Sequence, residues 1–254
     1  MVDPTFGKSS SLSFLSMSSK NKYIGISNRI PFVVLEHAVG DFLKTSIVNS
    51  EDYLNYIKEF TKGENRAKKT LGEVVSILTK NQKLLDHISK KIQGDFNSLQ
   101  KKDRYIILLC LHSLTFPITY DILTAFATGF KVQELISKRV IVEKISSIYG
   151  SNRAMHIGLD ETIPFLIHLG IIEREKIGIY KKASEKLIPS NLAVEVLIYT
   201  DIKLSGSKSL LINEIGFKPW FSYFDMKGIA DQTFKFLITK KESLVGNGYL
   251  TIQN

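Results

Sequence analysis

The side chains that could do chemistry lie far apart along this chain. The five histidines, His37, His87, His112, His156 and His168, form no HxxxH pair and no Cys/His cluster. The spacing that brings imidazoles and thiolates onto one metal ion is therefore missing. His112 follows the apolar run at 106–111, where a satisfied core histidine is expected sooner than a ligand. No G-x-S-x-G turn presents a serine nucleophile. Glu195, Asp201 and Lys203 in EVLIYTDIK come nearest to the carboxylate-and-lysine set of a metal-dependent nuclease, but no flanking sheet is indicated to bring them together. The GKSS at residues 7–10 lacks the earlier glycine, the strand and the helix that a phosphate loop needs. The sequence thus supports no catalytic residue, no metal site and no cofactor, and the expectation is a protein without catalysis of its own.

The sequence does carry positive charge. Lys and Arg number 34 against 25 Asp and Glu, for a net +9 over 254 residues. Such a surplus favours an anionic partner such as nucleic acid over an acidic ligand. The alternative is a set of solvated lysines with no partner. The cations gather at Arg66, Lys68 and Lys69, at Lys138 and Arg139, at Arg153, and at Arg174, Lys176, Lys181 and Lys182. Against duplex DNA these would hold phosphates, which positions a protein without reading sequence. Asn152, Arg153 and His156, at the start of a helix, are the candidates to reach base edges in the major groove.

The elements that must position these groups centre on 138–182. Val140, Ile141, Ile145 and Ile148 recur at helical spacing, and Gly150 stops that helix. Ser151 or Asp160 is expected to cap the next one, whose apolar face is Ile163, Leu166, Ile167 and Leu169, with Gly170 as its stop. An alternating hairpin follows: Ile171 and Ile172, a charged tip at 173–176, then Ile177, Ile179 and Tyr180. Helix, turn, helix and hairpin is the pattern of a winged helix. The alternative is a helical domain ending in an ordinary hairpin.

Residues 1–21 read as a serine-rich arm. In the helical domain expected over 22–135, KYIGIS suits a short strand, and Pro31 opens a helix running to about Lys44. Ser50 is expected to cap the next helix and Gly63 to end it. A basic helix pair follows. Residues 106–111 are apolar on every side and should form the central helix, with Pro117 ending or kinking it. The winged-helix domain is expected over 136–188. Over 189–254 the reading is a C-terminal helical, winged-helix-like domain. There NLAVEVLIYTDIKL is helical by length although its composition also suits a strand, and SLLINEIG and residues 225–241 are helix candidates. A closing hairpin would turn at Asn247–Gly248. The fold class expected is mainly α, a helical bundle with winged-helix modules.

The order of a basic NRAKK run, the apolar pair IILLCLHSLTFPITYDIL and a closing FLIHLGII resembles the BrxA proteins of BREX phage-defence systems over about residues 60–175. The resemblance implies a small helical protein that binds double-stranded DNA without known catalysis. By it, Arg66, Lys68 and Lys69 match the family's basic run, and Leu169, Gly170, Ile171 and Ile172 match its closing turn. Where the family has a basic run ahead of that turn, this chain has Asp160, Glu161 and Pro164, and its last eighty or so residues have no counterpart.

Cys110 is the only cysteine, which excludes a disulfide within the chain and fits a reduced compartment. No apolar run approaches the roughly 18 residues that span a bilayer. No signal-peptide order opens the chain, so a cytoplasmic protein is expected. The expected partner is duplex DNA, together with other proteins of a defence complex, and no membrane. The rival reading is a winged-helix adaptor between proteins, favoured by the aromatic cluster at 217–224 and the serine-rich arm.

Overall fold

The computed structural model describes residues 22–242 and 247–253, so the serine-rich arm and GKSS lie outside it. The chain is mainly helical, with small antiparallel sheets. KYIGIS, at 22–27, does not form the expected strand. Gly25 takes φ +76°, and the backbone N–H groups of Ser27 and Asn28 donate to Glu73 Oε1 at 2.6 and 2.9 Å rather than to a partner strand. Ile24 and Ile26 are buried, so this segment is a packed strap.

Four helices come next: α1 (Phe32–Thr45), α2 (Ser50–Phe60), α3 (Glu64–Lys80) and α4 (Gln82–Ile92). Two boundaries differ from expectation. Asn49, not Ser50, caps α2, accepting from Asp52 N–H at 3.2 Å. Gly63 stands before α3, while α2 already ends at the extended Thr61. A 3-10 turn at Phe96–Ser98 leads to α5 (Lys101–Thr115) and α6 (Pro117–Phe130). Ile106 to Leu111 are all fully buried, as a helix apolar on every side must be. α5 packs against α1 and α3 as well as against α6 and α9 (Asn191–Ser205). Pro117 sits at the first position of α6, where its missing N–H costs no helix bond. His112 is a satisfied core histidine: its Nδ1 lies 2.9 Å from Thr119 Oγ1 and its ring stacks on Phe165. Burial drives its pKa down to about 3.

After α6 come β1 (Leu135–Ser137), α7 (Lys138–Tyr149), α8 (Arg153–His168), β2 (Ile172–Lys176) and β3 (Ile179–Lys182). The sheet order is β1-β3-β2, antiparallel throughout. α9 follows, capped by Ser190, so the ambiguous NLAVEVLIYTDIKL is a helix, buried from Leu192 to Ile198.

The C-terminal segment departs most from expectation. SLLINEIG forms β4 (Leu210–Leu211) and a 3-10 turn at Ile212–Glu214, and a second 3-10 turn covers Pro219–Tyr223. Residues 225–241 make no α-helix and end in β5 (Ile238–Lys241), which pairs with β6 (Tyr249–Ile252) in a sheet of order β4-β6-β5. At 235–238 the cause is Glu195 on α9. Its Oε1 accepts from Lys235 N–H at 3.1 Å, and its Oε2 accepts from Phe236, Leu237 and Ile238 N–H at 3.0, 2.6 and 3.0 Å. N–H groups pointed at one carboxylate are not donating along a helix. Lys241 pairs with Tyr249, so Asn247–Gly248 is no two-residue turn but stands at the end of a longer loop, of which residues 243–246 lie outside the described residues.

One contiguous apolar core runs through all three segments. Trp220 belongs to it, fully buried and donating from Nε1 to Leu197 O at 3.2 Å. Among the described residues no single helix is long and apolar enough to cross a membrane. Only α5 and α6 together pass on composition, and they are bent by 115°.

Candidate nucleic-acid interface

The region from β1 to β3 is held by a few specific contacts. Ser137 caps α7, accepting from Val140 N–H at 3.4 Å, and Lys138 N–H donates to Gly178 O at 2.7 Å. That second bond ties the start of α7 to the turn between β2 and β3, where Gly178 takes φ +73°. The Lys138 ammonium also pairs with Asp160 on α8. The start of α7, the middle of α8 and the hairpin turn thus meet. Beneath them Ile136, Ile141, Ile145, Leu159, Leu166 and Tyr180 are buried. Tyr149 closes α7 by donating its hydroxyl to the buried Asp121 at 2.7 Å.

The cap of α8 is Asn152, not Ser151 or Asp160. Its Oδ1 accepts from Met155 N–H at 2.9 Å and its Nδ2 donates to Tyr149 O at 3.3 Å. Asn152 stands at the start of α8 as expected, but its amide holds the helix end together. Arg153 and His156 beside it are exposed. Pro164 lies within α8 near its C-terminal end, and the helix runs through it.

The expected phosphate contacts fall into two sets. Arg66 and Lys69 on α3, Arg153 on α8, and Arg174 and Lys176 on the hairpin are exposed and form no ion pair among the described residues. The others have partners within the chain. Lys68 pairs with Glu64 at 3.0 Å, Lys138 with Asp160, and Arg139 with Glu143 at 3.0 Å. Lys181 lies 3.0 Å from Glu175 and 3.5 Å from Glu173 across the strands. Lys182 donates to Ser222 O at 2.7 Å and sits over the Tyr223 ring, and burial lowers its pKa. Exposed pairs of this kind are worth only about 0–1 kcal/mol, so a phosphate can displace Glu64 or Glu143. Lys182 is fixed more firmly, by a backbone carbonyl and a ring.

α8 also presents carboxylates. Burial pushes Glu161 up from the ordinary carboxylate range against the pull of Arg29, with Asp160 raising it further and Arg66 opposing. Arg29 and Arg66 therefore flank Glu161, which puts the α3 cation on the α8 side of the molecule. Arg29 escaped the sequence reading because a lone arginine in a loop carries no pattern. At the hairpin turn Ile177 is 96% exposed.

The carboxylates considered for a nuclease are engaged elsewhere. Glu195 holds the four N–H groups of 235–238. Asp201 is fully buried, accepts from Tyr120 Oη at 2.8 Å and pairs with Lys218. Among the described residues no three His, Cys, Asp or Glu side chains gather where they could hold a metal ion. No protein-family model matches the chain, and no curated protein or solved structure matches it either.

Proposed function

We propose that the chain binds duplex DNA through a winged helix formed by β1 to β3. Two helices between the first and second strands, with strand order β1-β3-β2, make the arrangement in which a second helix and a hairpin approach DNA together. The order β4-β6-β5 repeats this strand plan at the C-terminus, with 3-10 turns where the helix pair would stand, and we read it as a degenerate second module. The observation that carries the proposal is the set of exposed, unpaired cations Arg153, Arg174 and Lys176 on α8 and the hairpin. Arg66 and Lys69 add phosphate contacts from α3. Asp160 and Glu161 repel phosphate along the middle of α8, so only its first turns face the duplex. Binding then rests chiefly on phosphate contacts and depends steeply on salt. The resemblance to BrxA proteins supports a role for this activity in a phage-defence complex, with no catalysis by this chain.

A second reading, an adaptor between proteins, draws on a different surface. Val132 and Phe217 are 86% and 77% exposed, and Lys131 Nζ donates to Phe217 O at 2.9 Å, which ties the segment after α6 to the one that carries Phe217. Trp220 does not contribute, being core. Fluorescence anisotropy with labelled duplex at two salt concentrations separates the readings. Tight binding at low salt that collapses at moderate salt supports the DNA reading. No binding at low salt leaves the adaptor.

A further inference from the structure

A second concentration of positive charge lies at the other end of α3. Lys80, Lys83 and Lys203 line a concavity of about 330 Å³ between the α3–α4 junction and the last turns of α9, floored by Leu84 and Leu114. None of the three ammonium groups has an ion pair among the described residues. No acid lines this concavity, whereas four others on the molecule contain Asp41, Asp231, Glu134 and Glu161 respectively. Two rings hold the cations in place: Lys80 Nζ lies 5.3 Å from the Tyr23 centroid and Lys203 Nζ 5.5 Å from that of Tyr199. Such contacts fix an ammonium without neutralising it.

The first turn of α4 carries no acid, and the Asn81 side chain does not cap it. The Asn81 amide is turned inward, within reach of Ile77 O at 2.8 Å, Leu111 O at 3.3 Å and Thr115 Oγ1 at 2.8 Å. Three lysines and two rings thus converge with no carboxylate of the chain lining the concavity.

We propose that this lysine groove is a phosphate-binding site that takes the phosphodiester backbone of nucleic acid. Lys80 lies fourteen residues along α3 from Arg66, or roughly 20 Å at the helical rise, so the site is separate from the α8 and hairpin surface. Its chemistry is that of phosphate oxygens, with no groups placed to read bases.

The test uses the full chain with K80Q, K83Q and K203Q combined. A control with K58Q, K90Q and K91Q removes the same charge from exposed sites elsewhere. Circular dichroism and thermal melting establish that both variants fold. The probes are a short DNA duplex and sodium tripolyphosphate. The expected result is a loss of duplex affinity of about tenfold or more, with the log–log salt slope shallower by roughly 2 to 3, against a smaller change in the control. Tripolyphosphate should raise the melting temperature of the unmodified protein and not that of the groove variant. Duplex affinity equal to the control, with the tripolyphosphate effect lost, overturns the backbone assignment in favour of a free phosphate compound. No effect on either probe overturns the site. If the unmodified protein binds no duplex at all, the DNA reading and the backbone assignment fail together, and the tripolyphosphate arm still decides whether the groove holds phosphate.

Discussion

Replacing Glu73 by Gln should change how stability depends on pH, in a way that can be worked out from two buried groups. Glu73 Oε1 accepts from Ser27 N–H, Ser27 Oγ and Asn28 N–H at 2.6, 3.0 and 2.9 Å, while Oε2 is buried with no partner. Burial outweighs those donors and drives the carboxyl up from 4.5 to about 7, with Glu161 adding to the rise. A carboxyl raised on folding stabilises the fold fully below its unfolded pKa. That contribution is lost as pH climbs from 4.5 to 7. His112 acts in the opposite sense. Its pKa falls from 6.5 to about 3 on folding, so its contribution is complete above 6.5 and is lost as pH falls toward 3. Each slope is about 1.4 kcal/mol per pH unit. Between pH 4.5 and 6.5 the contributions of Glu73 and His112 oppose each other with equal slope, and below 4.5 only that of His112 remains. Glu73→Gln keeps an acceptor for Ser27 and Asn28 and removes one titration. Its stability should then rise by up to about 3 kcal/mol between pH 4.5 and 6.5. Urea melts followed by circular dichroism, at half-unit steps of pH, measure this. The slope carries the argument, because the buried amide of the substituted side chain shifts the whole curve by a constant. A Glu73→Gln profile parallel to that of the unmodified protein would refute the reasoning.

Three further outcomes follow from the fold. Leu109→Ala and Leu166→Ala each remove a fully buried side chain and should cost about 2–5 kcal/mol in denaturant melts; unchanged melting for both would mean these helix faces do not meet in the core. Asn152→Ala removes the α8 cap and should cost about 1 kcal/mol of stability while leaving duplex affinity within a few-fold of normal; abolished DNA binding in a folded protein would make Asn152 a reader instead. Glu195→Gln turns an amide N–H₂ toward backbone N–H groups and should cost about 3 kcal/mol, with early hydrogen exchange at 235–238; full protection there would contradict the clasp.

The sequence was legible where structure is local. The periodic apolar residues of 140–148, the run at 106–111 and Pro117 place α7, α5 and α6, because side chains three and four apart share a helix face; on α7, however, the buried face is Ile141, Ile145 and Tyr149, and Ile148 is exposed. The hairpin at 172–182 shows in its alternation, but its tip does not: the charged residues 173–176 belong to strand β2, and the turn falls at the exposed Ile177 and Gly178. Residues 225–241 look helical in sequence, but the conformation at 235–238 is decided by a carboxylate some forty residues away, which no local window contains. KYIGIS forms no strand for a similar reason: the N–H groups at its end, of Ser27 and of the following Asn28, go to Glu73 on a helix. At the candidate interface the sequence located the cations but not their partners. Lys138 meets Asp160 across two helices, and Lys181 meets Glu173 and Glu175 across two strands, so neither neutralisation is visible in one dimension. Asn152 was placed correctly at a helix start, yet the residue type that suits base contact is also the one that caps helices.

The measurement that bears most directly on the DNA reading is the salt dependence of duplex binding for the unmodified protein beside R153E, R174E and K176E combined. All three side chains are exposed, without an ion pair among the described residues, so their replacement should leave the thermal melt within a degree or two of normal. The expected result is that the unmodified protein binds specific and scrambled duplexes with a slope of several units, and that the variant loses at least tenfold on both at low salt with a slope shallower by roughly 3. A folded variant that binds duplex with unchanged affinity and slope would contradict the proposal that α8 and the hairpin face DNA.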